Sequence, residues 1–322
     1  MITKLLALGL LSTGFAFAAP AADRASTGSS AFTFAVQPDR GLLELGYKGR
    51  PVLVYAFGTN QFKPYVRALY TLKGDNVLLD APPDHLHHHG LMYAIRVNGI
   101  NFWEERDQPG YERPVRLLPP QTGRSSSGLP RAWFTQVIDW VANKDAAVAD
   151  TSAVALLVER RTLTVTIDEK LQEVAVDWHA DFEVGPGAAK VTVAGANYNG
   201  LGLRLPEPFN RDAQHQNSEN APYVTNGKGD VTPAKWSSVS HSLNGRDITV
   251  ALFGHPTADR GLPTFFTMVQ PFTYLSVTQG LDKAPLQYSA GDRFSLDYRL
   301  VVYAEHKAPD FLQQRWSNWN QR

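Results

Sequence analysis

The stretch Val174-Ala175-Val176-Asp177-Trp178-His179-Ala180-Asp181-Phe182-Glu183-Val184 decides the fold. Val174, Val176, Trp178, Ala180, Phe182 and Val184 alternate with Ala175, Asp177, His179, Asp181 and Glu183, the period of a strand with one buried and one polar face. His179 falls on the polar face, as a surface histidine. Working outward, comparable runs broken by Gly, Pro, Asn and Asp cover Phe32 to Val36, Leu42 to Leu45, Val52 to Phe57, Met92 to Val97, Ala132 to Val141 and Ala153 to Ile167. They continue over Leu171 to Val184, Val191 to Ala196, Ile248 to Phe253, Thr264 to Val269, Tyr274 to Thr278 and Phe294 to Tyr303. Twelve runs exceed one simple sheet. They predict an all-β chain, a large antiparallel β-sandwich of two sheets packed face to face. Helical spacing appears only at the end, where Pro309 opens Asp310 to Trp319 and places Phe311, Leu312, Arg315, Trp316 and Trp319 near one face. This predicts a short C-terminal helix docked on the sandwich, its tryptophans used in packing.

The chain has 322 residues, 43% of them hydrophobic, with 31 basic and 31 acidic residues and no cysteine. A net charge of zero and a pI of about 7.1 provide no cationic footprint for nucleic acid or an anionic membrane. Without cysteine there are no disulfides, thiolate metal sites or thiol nucleophiles, so chemistry falls to His, carboxylates, Tyr, Lys or Ser. At the N-terminus, Lys4, the apolar run Leu5 to Phe15 and Ala16-Phe17-Ala18 read as an export signal cleaved after Ala18. The run is shorter than the ~20 residues that span a bilayer. The expected product is periplasmic or secreted, with no membrane span after cleavage. Residues 1–18 are thus the signal peptide, 19–30 a small polar linker and 31–322 one β-sandwich domain, with Pro119 to Pro130 read as a long hairpin connection.

The densest chemical feature is Asp84-His85-Leu86-His87-His88-His89-Gly90, which holds four of the nine histidines. On an extended backbone His85, His87 and His89 project to one side and His88 to the other. Three readings fit: proton donors and hydrogen-bond partners for a polar substrate, metal ligands, or a structural network closing a loop. Adjacent imidazoles lack the separated spacing of established zinc motifs, so no cofactor is predicted, with a metal on His85, His87 and His89 as the lesser option. Downstream, Asn98-Gly99 marks a hairpin turn that would hold Trp103 and Glu104 near the histidines. A tryptophan beside carboxylates and imidazoles suits a sugar, whose C–H face stacks while its hydroxyls need hydrogen bonds. Trp103 in the core and Glu104 and Glu105 on a solvated surface are the plainer readings. In Tyr198-Asn199-Gly200-Leu201-Gly202-Leu203-Arg204 the glycines do not form a phosphate loop; they allow close backbone approach, with Arg204 aimed at a polar ligand or capping a strand. His255, in Phe253-Gly254-His255-Pro256, ends a strand at a turn, where sites are often built.

These segments together resemble a bacterial family of unknown function labelled "methane oxygenase PmoA". The resemblance runs through Pro64 to Glu105, Asn197 to Leu205, Phe253 to Pro256 and Gly291 to Tyr303. The family commonly has an arginine before the glycine, as in HHRG, where this chain has His89. A membrane-bound methane monooxygenase subunit needs several spanning helices, and none is legible beyond the leader. The His-Gly block and the all-β pattern look instead like the two-sheet supersandwich of galactose-mutarotase-type proteins, which act on carbohydrates.

The expectation is an exported protein whose partner is a small-molecule carbohydrate: an enzyme acting by epimerisation, hydrolysis or lyase chemistry. His85, His87 and His88 would be the catalytic groups, and Trp103, Glu104, Arg204 and His255 the substrate contacts, with Asp84 orienting one ring. A non-catalytic carbohydrate-binding protein and a His-ligated metalloenzyme are the competing classes.

Overall fold

A computed structural model describes residues 31–143, 153–221, 230–256 and 261–321. The expected export signal and linker lie outside the described residues. Two large antiparallel sheets form the body. In hydrogen-bonded order the first contains β1 (Phe32–Gln37), β2 (Leu42–Tyr47), β3 (Arg50–Ala56), β4 (Tyr65–Leu69), β5 (Leu91–Ala94), β14 (Gly200–Arg204), β20 (Tyr274–Thr278), β19 (Thr264–Met268) and β16 (Asp230–Pro233). The second runs β15 (Gln214–Asn217), β17 (Trp236–Leu243), β18 (Arg246–Gly254), β22 (Arg293–Tyr303), β12 (Glu173–Val184), β11 (Leu157–Asp168), β10 (Pro130–Val141) and β8 (Tyr111–Leu117). The short β9 (Gln121–Arg124) pairs back on β10, so the Pro119 to Pro130 region is a hairpin. Beyond the two sheets expected, a third contains β21 (Leu286–Ser289), β13 (Lys190–Ala194), β6 (Arg96–Val97) and β7 (Ile100–Asn101).

The alternating run is the centre of the second sheet. Val174, Val176, Trp178, Ala180 and Phe182 of β12 are buried against the first sheet. Aromatic rings cross the interface, with Tyr93 of β5 5.8 Å from Phe182 and 6.1 Å from Trp140, and Tyr55 of β3 5.0 Å from Phe134. The opposite face of β12 is less solvated than its polar residues suggest. Helix α1 (Pro309–Asn320) lies over Ala175, Ala251, Phe253 and Val301, with Leu312, Trp316 and Trp319 buried there. Trp319 Nε1 donates to Asp177 and Arg315 grips Glu173 with two nitrogens. Farther along that face His179 sits between Asp297 and Asp181 at 2.7 and 3.2 Å; the hydrogen bond to Asp297 is the main cause that pushes its pKa up to about 9.

One charged residue ties the sheets together from inside. Arg161 on β11 has no exposed side-chain surface, donates Nε and Nη2 to Glu159 at 2.7 and 2.8 Å and Nη2 to Glu112 on β8 at 3.0 Å. Its Nη1 donates to the Pro64 carbonyl at 2.7 Å, just before β4 of the first sheet, and its face lies 4.5 Å above the Trp178 ring. Burial pushes Glu112 up to about 8, which keeps a proton on one of the two carboxyls sharing this single guanidinium. Removing one partner of a buried ion network costs about 3–5 kcal/mol because the remaining charge loses its compensation. Arg161→Met is therefore expected to lower the unfolding free energy in urea by about that amount. A loss below about 1 kcal/mol would show that the network is dispensable.

Candidate functional site

The histidine block closes a loop between β4 and β5 at one end of the first sheet. It is not extended. His85 N–H donates to the Pro82 carbonyl, His88 N–H to His85 and Ala81 N–H to His88, so two successive turns replace the expected strand. The loop is fastened to β14 at both ends: Arg204 N–H donates to the Gly90 carbonyl, and the Arg204 carbonyl accepts from Leu79. Gly90 permits this closure because a Cβ there would stand 2.4 Å from the Val66 carbonyl oxygen.

The turns regroup the imidazoles. His85, His87 and His88 come together, with ring centroids 4.5 Å apart for His85 and His88, 4.6 Å for His87 and His88, and 5.7 Å for His85 and His87. His89 points away, so the extended expectation of His85, His87 and His89 on one side is corrected by the turn geometry. Among the described residues no group of three or more His, Asp or Glu is arranged to hold a metal ion. Burial, reinforced by the neighbouring His87 and His85, pushes His88 down to about 2, and burial likewise lowers His87. His88 is therefore a neutral ring, with one nitrogen that donates and one that accepts a hydrogen bond.

Beside the rings, β14 and β20 present Arg204 and Tyr274 in register. Arg204 is 3% exposed. Its Nη2 donates to Asp84 at 3.0 Å and the Phe272 ring covers its face at 3.5 Å, while Nε and Nη1 have no partner. Tyr274 is 3% exposed; its hydroxyl has the Ser276 side chain as a polar neighbour but makes no hydrogen bond of ordinary geometry, and it rests on Gly202, where a Cβ would fall 1.7 Å from it. Burial raises Tyr274 well above the usual phenol range, so it keeps its proton. His88 Nδ1 is the next buried atom without a partner. Asp84 is half-exposed and lies 3.1 Å from His85 Nδ1; burial alone would raise its carboxyl, but His85 and Arg204 bring it below the ordinary value.

Trp103 closes the inner side, 6.4 Å from His88, 6.0 Å from Tyr274 and 5.5 Å from Tyr198. It is 2% exposed, a wall packed among rings. Glu104 is partly exposed and accepts from Asn101 and Arg106, with its charge felt at His87. The structure does not bring His255 to this group: its ring lies 4.0 Å from Trp319 and its Nδ1 bonds Asn320, both on α1.

His89 builds a separate ionic relay behind the site. Nδ1 donates to Asp80 at 3.0 Å and Nε2 to Glu105 at 2.9 Å, and Tyr65 stacks on the ring at 4.2 Å. Lys63, with no exposed side-chain surface, donates to Glu105 at 2.7 Å and to the Trp103 carbonyl at 3.2 Å. Burial alone would raise Glu105 and lower His89; Lys63 and His89 instead hold Glu105 at about 2, and Asp80 and Glu105 raise His89. His89 thus has a cationic role where the resembling family commonly has arginine. Lys63, Asp80, Phe272 and Tyr274 were not legible as site residues. Tyr65-Val66-Arg67-Ala68-Leu69 carries too little alternation to mark β4, whereas Tyr274 already opened an expected strand.

An open cleft of about 690 Å³ lies elsewhere, lined in part by Arg40, Phe57, Asn60, Arg116 and Gln136. None of its lining side chains leaves a buried polar atom unpaired, whereas His88, Arg204 and Tyr274 at the histidine cluster do.

A model for a family of unknown function, DUF6807, matches residues 43–317. The chain belongs to the DUF6807 family. The methane oxygenase label does not accompany that match. No curated protein sequence matches. Among solved structures, this DUF6807 chain is similar to the GH36 alpha-galactosidase AgaB from Geobacillus stearothermophilus (12% identity, TM-score 0.51, 84% of this chain and 40% of that chain). It is also similar to the galactosidase domain of the alpha-galactosidase-sucrose kinase AgaSK (9% identity, TM-score 0.50, 85% of this chain and 42% of that chain). A galactose mutarotase related enzyme from Lactobacillus acidophilus has 8% identity and a TM-score of 0.38 over 80% of this chain and 97% of its own. The DUF6807 chain thus spans about two fifths of the galactosidase chains, and the likeness is one of fold.

The relay of this DUF6807 chain makes a signed pH prediction. His89 is raised in the folded state, so its contribution is complete below the unfolded value of 6.5 and is lost as pH rises through the folded pKa. The stability difference between the parent and His89→Gln, from urea unfolding, is expected to be largest below pH 6.5 and to shrink at alkaline pH. A difference that grows with pH would contradict a protonated His89.

Proposed function

We propose that this chain is an exported carbohydrate-active protein, and specifically an enzyme acting on a sugar or glycoside by epimerisation, hydrolysis or lyase chemistry. One observation carries the reading: three imidazoles, a guanidinium and a phenol gather at a strand end, with buried polar atoms of His88, Arg204 and Tyr274 left without partners. Native interiors rarely leave such atoms unmet, and a ligand that meets them explains the cost of holding them there. The neutral His88 ring would hold a substrate hydroxyl by hydrogen bond, while His87 and the half-exposed His85, closer to solvent, would carry the proton. Arg204 and Tyr274 would orient the substrate, and Trp103 would form the wall behind it. Glu104 would act through its charge on His87. The sandwich fold shared with galactosidase chains makes sugars the substrate class to test first.

The test pairs isothermal titration against neutral and acidic mono- and disaccharides with product analysis of the same mixtures. His87→Gln is expected to leave binding within about threefold and to cut turnover by about 10²-fold or more, the usual range for a lost general acid or base. Unchanged turnover would remove proton transfer from His87. Binding without turnover in the parent protein would make it a carbohydrate-binding module, and no binding would remove the carbohydrate reading.

A further inference from the structure

The donors left unmet at the site differ in kind from those a neutral sugar satisfies best. Arg204 Nε and Nη1 carry hydrogens and no lone pair, and the Tyr274 hydroxyl keeps its proton. Sugar hydroxyls would each bring a further hydrogen needing an acceptor, whereas a carboxylate brings two oxygens that only accept. Among the described residues Arg204 is ion-paired with one carboxylate, that of the half-exposed Asp84 at the loop surface, while Glu207 acts on it through its charge alone. The Phe272 ring holds the guanidinium plane from one side, at 3.5 Å, so its edge is fixed. Half-exposed Asp84 can turn out to water by giving up Arg204 and His85, while Arg204, gripped by the fold, cannot follow it.

We infer that the ligand of this site is a sugar acid, whose carboxylate displaces Asp84 from Arg204 Nη2 and takes that nitrogen together with one of its unpaired neighbours, Nε or Nη1, while the Tyr274 hydroxyl donates beside it. The inference rests on the carbohydrate reading above and narrows it to one chemical class. In the free protein Asp84 is the stand-in carboxylate; in the complex it is a competitor that has been moved aside. Charge-assisted hydrogen bonds are about twice as strong as neutral ones, so the acid should outbind its neutral counterpart by about tenfold or more.

The experiment is titration of the full mature chain with D-galacturonate and D-glucuronate against D-galactose and D-glucose, with sodium acetate as the carboxylate alone. The acids are expected to bind at least about tenfold tighter than the neutral sugars, and acetate more weakly than either acid. Asp84→Asn, which removes the charge of the competing carboxylate, is expected to tighten the acids further. Arg204→Lys is expected to erase the preference, since one ammonium does not reproduce the fixed guanidinium edge. Neutral and acidic sugars bound equally, or acids weakened by Asp84→Asn, would overturn the sugar-acid inference while leaving the carbohydrate reading in place. Binding of no sugar of either kind would overturn both.

Discussion

A guanidinium with no exposed surface, that of Arg161, is the constraint on which the site end of the sandwich depends. It joins Glu159 and Glu112 of the second sheet to the Pro64 carbonyl leading into β4 of the first. Lys63 is the next residue along, and it carries the same ionic thread to Glu105 and through it to His89 and Asp80. A continuous chain of charged and polar contacts therefore runs from the centre of the second sheet to the back of the histidine loop. Each charge on that route is buried or partly buried beside an opposite partner, the condition under which burial is tolerated.

The front of the same loop is built in the opposite way. Behind it His89, Glu105 and Lys63 satisfy one another; in front, His88, Arg204 and Tyr274 leave atoms unmet. The contrast within one loop separates structural histidine from functional histidine: His89 is cationic and paired, His88 neutral and unpaired. Gly202 is what lets the Tyr274 hydroxyl lie against the sheet, and the tightly turned backbone from Ala81 to Gly90 is what gathers the rings. Rigid strands thus supply the donors and a closed loop the imidazoles, a division that keeps both in place without a ligand.

Much of this architecture was legible because period-two alternation reports burial directly. The long strands β10, β11, β12 and β22 and the helix after Pro309 were found where apolar residues recur in step. Short strands such as β4 and β14 were not, because five residues with glycine or arginine among them contain too little pattern, and β14 is buried on every residue. The histidine block itself stood out by composition, but its geometry did not. Alternation placed His89 with His85 and His87, whereas two turns closed by backbone hydrogen bonds put His88 there instead. Arg204 was legible, while its neighbours Tyr274 and Phe272 reach the site from a strand about seventy residues downstream, a proximity set by sheet order that no local pattern encodes. His255 shows the reverse error of proximity, a strand-end histidine that α1 claims for packing.

The most direct measurement is a crystal structure of the chain with its tightest-binding sugar. The account predicts an acceptor oxygen within about 3.2 Å of Arg204 Nε or Nη1 and of the Tyr274 hydroxyl, with a sugar hydroxyl facing His88. A sugar seated in the cleft between Arg40 and Arg116, with the histidine cluster unchanged, would contradict it.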